Sequence, residues 1–223
     1  MRIAVELCVS VCEELKMTST KTQNRTRQQQ REASKAALLD AASDLFGRFG
    51  FEGVSVNRVA DQSGISKQNL VYYFGSKEGL WKAAVEHVFM QFEAKLARDF
   101  SALSDTATPS LQTFIRIYFE ACRKYPAYVK IPMIEGVNRT WRSTIIAEKY
   151  LARHIPRFES YTRSLIERGD IADVPALHLQ NLIAGGAQHF IAMAPIWSDA
   201  IDLDTKSRDF LKSYADTVIK LLS

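Results

Sequence analysis

The chain has 223 residues, 47% hydrophobic and 24% charged, enough to bury one full core or two small ones and too apolar to stay mainly disordered. Only 10 Gly and 6 Pro stand against many Ala, Leu, Lys, Glu, Gln and Arg, so the turn punctuation of a many-stranded sandwich or barrel is missing and an all-α fold is expected. The net charge of +4 permits an anionic partner without demanding one, and three cysteines, an odd count, exclude a disulfide framework as the organising principle.

Residues 1–30 read as a basic N-terminal tail carrying Lys21, Arg25 and Arg27. Met17 directly precedes its polar part, so residues 1–16 are open to two readings: a stretch upstream of the native start, or a short helix with Cys8 and Cys12 on one face. From Lys35 the residues Leu38, Ala41, Ala42, Leu45, Phe46 and Phe49 recur at helical steps, and Gly50 supplies a stop. Ser55 is placed to cap a second helix, Val56 to Ser63, with Val59 and Ala60 turned inward. Gly64 ends it, Ser66 caps a third helix, Lys67 to Phe74, and Gly75 and Ser76 separate that from a fourth beginning at Lys77. The fourth carries Trp81, Val85, Val88, Phe92, Leu96 and Phe100 on one face.

The segment Ser101 to Ser110 reads as a loop. Helices then follow near Leu111 to Lys124, Ala127 to Val137, Thr144 to Arg168, Pro175 to Ala194 and Thr205 to Leu222, with Pro126, Pro132, Pro156 and Pro195 as kinks or ends. The expected organisation is a group of short helices over residues 31–79 and a second, helical domain over 80–223.

Two caps, Ser66 and Ser76, and two terminal glycines, Gly64 and Gly75, give helix-turn-helix logic, in which the first turn of the later helix faces the major groove. Lys67, Gln68 and Asn69 occupy that turn, where Gln and Asn suit adenine and Lys suits guanine or phosphate. Tyr72 and Tyr73 offer hydroxyls to phosphate, and Ser55, Ser66 and Lys77 lie at helix N-termini that attract anions. Between Lys16 and Leu80, ten basic residues face six acidic ones, so the positive charge lies where double-stranded DNA would bind.

These residues resemble a known family. Phe49-Gly50-Phe51-Glu52-Gly53, Ser55-Val56, Val59-Ala60, Gly64-Ile65-Ser66-Lys67, Leu70-Val71-Tyr72-Tyr73-Phe74, Ser76-Lys77-Glu78 and Leu80 are similar to the N-terminal signature of TetR-family bacterial transcription regulators. The resemblance implies a homodimer, usually a repressor, that binds a palindromic operator and is released by a small-molecule effector in the C-terminal domain. It also implies phosphate contacts for Tyr73 and Lys77 and base contacts for Lys67, Gln68 and Asn69. Tyr125-Pro126, Arg168-Gly169-Asp170-Ile171, Leu177-His178-Leu179 and Gln188-His189 resemble the subgroup that includes the pyrimidine-utilisation regulator, whose tryptophan positions fall here on Ala184 and Phe92.

Polar or aromatic residues on otherwise apolar helices are the candidate effector contacts: Phe92, Tyr118, Met133, Glu135, Asn138, Trp141, Tyr161, Gln188 and His189. Each can equally be ordinary core or surface. His178 and His189 lie ~16 Å apart along one helix and cannot share a metal within a chain, so no metal is expected. No cofactor is expected either. A glycine-rich phosphate loop, a zincin pattern and a nucleophile elbow are all missing, which argues against an enzyme. Ala184-Gly185-Gly186-Ala187 and the stripe Ala215, Val218, Ile219 and Leu222 suggest a four-helix interface with a second copy, or a close contact within the chain. No apolar run approaches the ~20 residues of a membrane span, so a cytoplasmic regulator is expected. The alternative is a helical small-molecule-binding or scaffolding protein without specific DNA binding.

Overall fold

The computed structural model describes residues 28–103 and 108–222. Of the basic tail read over residues 1–30, residues 1–27, and with them both readings of residues 1–16, lie outside the described residues, while 28–30 are already helical. All regular structure among the described residues is helical. α1 spans 28–49, followed by α2 (Val56–Ser63), α3 (Lys67–Phe74) and α4 (Lys77–Ser101). Then come α5 (Leu111–Lys124), α6 (Pro126–Glu135) and α7 (Trp141–Ile145), which runs into a π-helical stretch, Ile146–Leu151. α8 (Ile155–Glu167), α9 (Ala176–Ala192), α10 (Ala194–Ile201) and α11 (Arg208–Leu222) complete the chain.

Two hydrophobic cores are strung along α4, which at 25 residues is ~37 Å long. Its first turns bury Leu80, Trp81, Ala84, Val85 and Phe89 against Leu38, Leu45 and Phe46 of α1, Val59 of α2 and Leu70 of α3. Leu70 and Leu80 are each 0% exposed, which stabilises the head by ~2 kcal/mol apiece. Farther along, Phe92 enters a second core with Ile115 and Phe119 of α5, Leu165 of α8, Ile183 and Ala187 of α9, and Leu211 and Ala215 of α11. Tyr128 of α6 touches both cores and stacks face to face on Phe92, ring centroids 3.5 Å apart.

Several boundaries differ from the sequence expectation for identifiable reasons. α1 is already helical at residue 28, and Phe49 at its end is exposed beneath the Arg58 guanidinium rather than buried in the stripe. The helix expected over Thr144 to Arg168 is interrupted: Ala152 N–H bonds the Ala147 carbonyl one residue farther back than an α-helix would, and Pro156 opens α8. α10 was not foreseen; Pro195 sits in its first turn, where a missing N–H costs nothing. α11 starts at Arg208 because the buried Thr205 donates its hydroxyl to the Phe190 carbonyl at 2.8 Å, and Ser207 Oγ accepts from Phe210 N–H at 3.2 Å.

Candidate nucleic-acid interface and effector cavity

The reading head is built from local hydrogen bonds. Ser55 Oγ accepts from Arg58 N–H at 3.2 Å, Ser66 Oγ from Asn69 N–H at 3.3 Å and Ser76 Oγ from Gly79 N–H at 3.0 Å, each satisfying an otherwise orphaned donor at a helix start. Gly64 (φ 69°) and Gly75 (φ 71°) adopt left-handed conformations that L side chains enter only with strain, and they set the two turns. Ala60 and Leu70 are buried where α2 meets α3, and Ile65 half-fills the turn.

This packing leaves Lys67, Gln68 and Asn69 all exposed on the first turn of α3. Tyr72 is 72% exposed and meets Tyr73 edge-on at 5.5 Å, with Tyr73 half-buried. Lys77 is also half-buried, its Nζ 4.4 Å from the centre of the Phe51 ring, which fixes its stem beside the start of α4. Ser55 and Ser66 spend a lone pair on their own caps yet keep an O–H free to donate. Arg58, one of the ten basic residues counted in the sequence but given no contact of its own there, adds a cation held 3.9 Å over Phe49. Its signal was available, since it stands three residues after the Ser55 cap on the exposed side of α2.

In the second core, α4, α5, α6, α8 and α9 line a half-open cavity of about 370 Å³, within the range of small-molecule sites. Phe92, Tyr118, Tyr161 and Gln188 all line it, together with Phe100, Phe114, Tyr128 and Phe158. Gln188 Nε2 donates to Tyr118 Oη at 3.0 Å, and Tyr161 Oη donates to the Pro109 carbonyl at 3.2 Å. Burial pushes the Tyr118, Tyr128 and Tyr161 phenols up, so all three stay neutral donors. Beside Tyr118, burial raises the Cys122 thiol to about 12, which leaves it inert. Glu93, His154 and Arg157 supply the acidic and basic side chains of the lining.

Five of the nine expected effector contacts lie elsewhere. Glu135, only 5% exposed, accepts from Phe51 N–H at 3.2 Å and from Arg142 Nε at 2.6 Å, so its charge is satisfied by the chain itself. Trp141 packs edge-on against Phe51 and Trp81 at 5.6 and 5.1 Å, and Asn138 borders a shallow cleft beside Arg142. These residues join α6 and α7 to the turn after α1 and stand apart from the cavity. Met133 is 40% exposed on α6, and His189 is exposed on α9. Sequence reasoning missed Phe114, Phe158, Glu93, His154 and Arg157, because aromatic core and surface charge look the same as a lining until helices are placed.

The expected four-helix interface is corrected in part. Ala215 and Val218 are buried within this chain's own second core, with Ile219 and Leu222 packed against it. A Cβ on Gly186 would stand 1.9 Å from Tyr214 Oη, so that glycine serves the contact between α9 and α11 of one chain. Gly185 meets open space. Among the described residues no cluster of three metal-ligating side chains occurs, and no helix is long and apolar enough to cross a membrane.

Residues 38–84, covering most of α1 through the first turns of α4, match the family described as bacterial regulatory proteins, tetR family. The chain is 30% identical over 166 residues to the HTH-type transcriptional regulator RutR of Escherichia coli, covering 73% of this chain and 76% of that one. It is 31% identical over 116 residues to the HTH-type transcriptional repressor NicS of Pseudomonas putida, covering 51% and 53%. A TetR-like transcriptional regulator from Rhodococcus shares the fold with a TM-score of 0.59 at 20% identity, over 84% of this chain and 92% of that chain. With an exposed first turn on α3 and a cavity at the other end of α4, the chain belongs to the tetR family and is a ligand-responsive, DNA-binding transcriptional regulator.

Proposed function

We propose that the protein acts in the cytoplasm as a homodimeric repressor of a palindromic operator, released when a small molecule fills the cavity beside Phe92. In this reading residues 31–79 are the DNA-binding domain, and 80–223 hold the effector and the second copy. Lys67, Gln68 and Asn69 read base edges, and Ser55, Ser66, Tyr72, Tyr73 and Lys77 contact phosphates. The second copy docks on the outer face of α9, where His178, Leu182, Gly185 and His189 fall at helical spacing and Leu182 is 62% exposed.

The observation that carries the reading is the single helix α4, whose first turns belong to the head core and whose Phe92 and Phe100 line the cavity. An effector releases DNA only if it binds the DNA-incompetent arrangement better. A ligand between α4 and its neighbours changes the angle of α4 and hence the spacing of two α3 helices, which must match ~34–36 Å to read both half-sites. A gel shift on DNA upstream of the protein's own gene, with competitor and a salt titration, tests it. A shift that survives competitor and weakens steeply with salt supports specific binding. Binding equal to that on random DNA would favour a helical ligand-binding or scaffolding protein instead.

A further inference from the structure

We infer that the effector is an aromatic carboxylate, its ring stacked among the cavity's aromatic side chains and its anionic end against Arg157. The inference rests on reading the cavity as the effector site.

The walls argue for a ring. Phe92 and Tyr128 stack at 3.5 Å, and Phe114 stands 5.1 to 6.0 Å from Phe100, Tyr118, Phe158 and Tyr161. A flat aromatic body extends such offset and edge-on contacts and loses few rotors on binding, whereas an alkyl chain gains only area and must be ordered bond by bond.

The charge argues for a carboxylate. Glu93, the one carboxylate of the lining, is already paired with Arg153, while among the described residues Arg157 has no carboxylate within ion-pair distance. Arg153 lies outside the lining but neutralises Glu93, so the charge left without a counter-ion in the lining is that of Arg157. His154 Nε2 is buried and stands 3.3 Å from Glu93 Oε1 without the alignment of a hydrogen bond, so in the Nε2–H tautomer it can donate a hydrogen bond to a ligand's carboxylate oxygen. Desolvation holds the His154 ring below its ordinary value; the Glu93 carboxylate opposes that shift, while Arg153 and Arg157 add to it. The Gln188–Tyr118 pair, also in the lining, carries no charge. One anion on an aromatic body matches a lining that is mostly aromatic and has one guanidinium without a counter-ion.

The test uses full-length protein and the neutral fluorescent probe N-phenyl-1-naphthylamine, displaced by biphenyl-4-carboxylate, biphenyl-4-carboxamide or dodecanoate. The biphenyl carboxylate should displace it at about a tenfold lower concentration than the amide, the size of a partly exposed charge-assisted contact. That preference should vanish in Arg157→Gln and largely return in Arg157→Lys. Ala184→Phe, which adds a ring to the lining, should abolish probe binding while keeping the wild-type circular dichroism spectrum. If the probe binds wild type and is lost in Ala184→Phe, but the amide competes as well as the carboxylate or dodecanoate competes better than either, the cavity reading stands and the carboxylate assignment is overturned. A probe that fails to bind wild type, or binds folded Ala184→Phe equally, overturns the cavity reading and this inference together. Arg157 is exposed, so its variants stay interpretable if Ala184→Phe does not fold.

Discussion

Glu135→Ala should destabilise the protein by about 3 kcal/mol although Glu135 touches neither the cavity lining nor the exposed turn of α3. The side chain, 5% exposed, holds two donors that come from distant parts of the chain: Phe51 N–H at 3.2 Å and Arg142 Nε at 2.6 Å. Hydrogen bonds to a charged group contribute ~1.5–3 kcal/mol each, and removing the acceptor strands a guanidinium that is only 12% exposed. Glu52 lies 3.4 Å from Arg142 but is 80% exposed, so its compensation stays under ~1 kcal/mol. The melting temperature should fall by ~6–12 °C for a chain of this length. Urea unfolding followed by tryptophan fluorescence reports on the joint directly, because Trp81 and Trp141 pack there. In a double-mutant cycle with Arg142→Met, the coupling should exceed ~1.5 kcal/mol. A loss below ~0.5 kcal/mol, or strictly additive effects, would refute the claim that this ion pair fastens the head to the body.

Gln68→Ala and Asn69→Ala should each reduce preference for the operator by ~1–3 kcal/mol while sparing nonspecific binding, and Lys77→Ala should weaken all duplexes and lower the salt slope by ~1; anisotropy titrations at several salt concentrations separate these. Gly186→Ala should cost ~1–3 kcal/mol in chemical denaturation, because the new methyl meets Tyr214, whose ring is fixed against Phe119, Phe190 and Phe210. His154, below its ordinary value of 6.5 because burial disfavours its charge, should titrate by NMR below that value. Its unfolded form then takes up the proton first, so the stability it leaves intact above about pH 6.5 declines as pH falls towards the folded value, and His154→Gln should lack this component in pH-dependent melts.

What was legible in the sequence was local. The caps at Ser55, Ser66 and Ser76 each bond a residue three positions on, and Gly64 and Gly75 act within their own turns, so α2, α3 and the start of α4 follow from short windows. The site residues were legible only where they share that locality. Glu135 and Trp141 carry the sequence signal of a ligand contact, a polar or large aromatic group on an apolar stretch, yet their partner Phe51 lies in the turn before α2, 84 residues from Glu135. Conversely Phe114 and Phe158 look like plain filling, and only the placement of α5, α8 and α9 around α4 makes them walls. The stripe on α11 gave the correct face and left its partner undecided, because burial against α5 and burial against a second copy impose the same periodicity.

In vitro selection from a random duplex library tests the central claim, that α3 reads a palindromic operator, most directly. Wild-type protein should enrich one inverted repeat whose half-sites lie about one helical turn, ~10–10.5 bp, apart or a multiple of it. The double variant Gln68→Ala, Asn69→Ala should retain salt-sensitive binding but lose the enrichment. If wild type enriches no sequence over the input, or the double variant selects the same repeat equally well, the claim is contradicted.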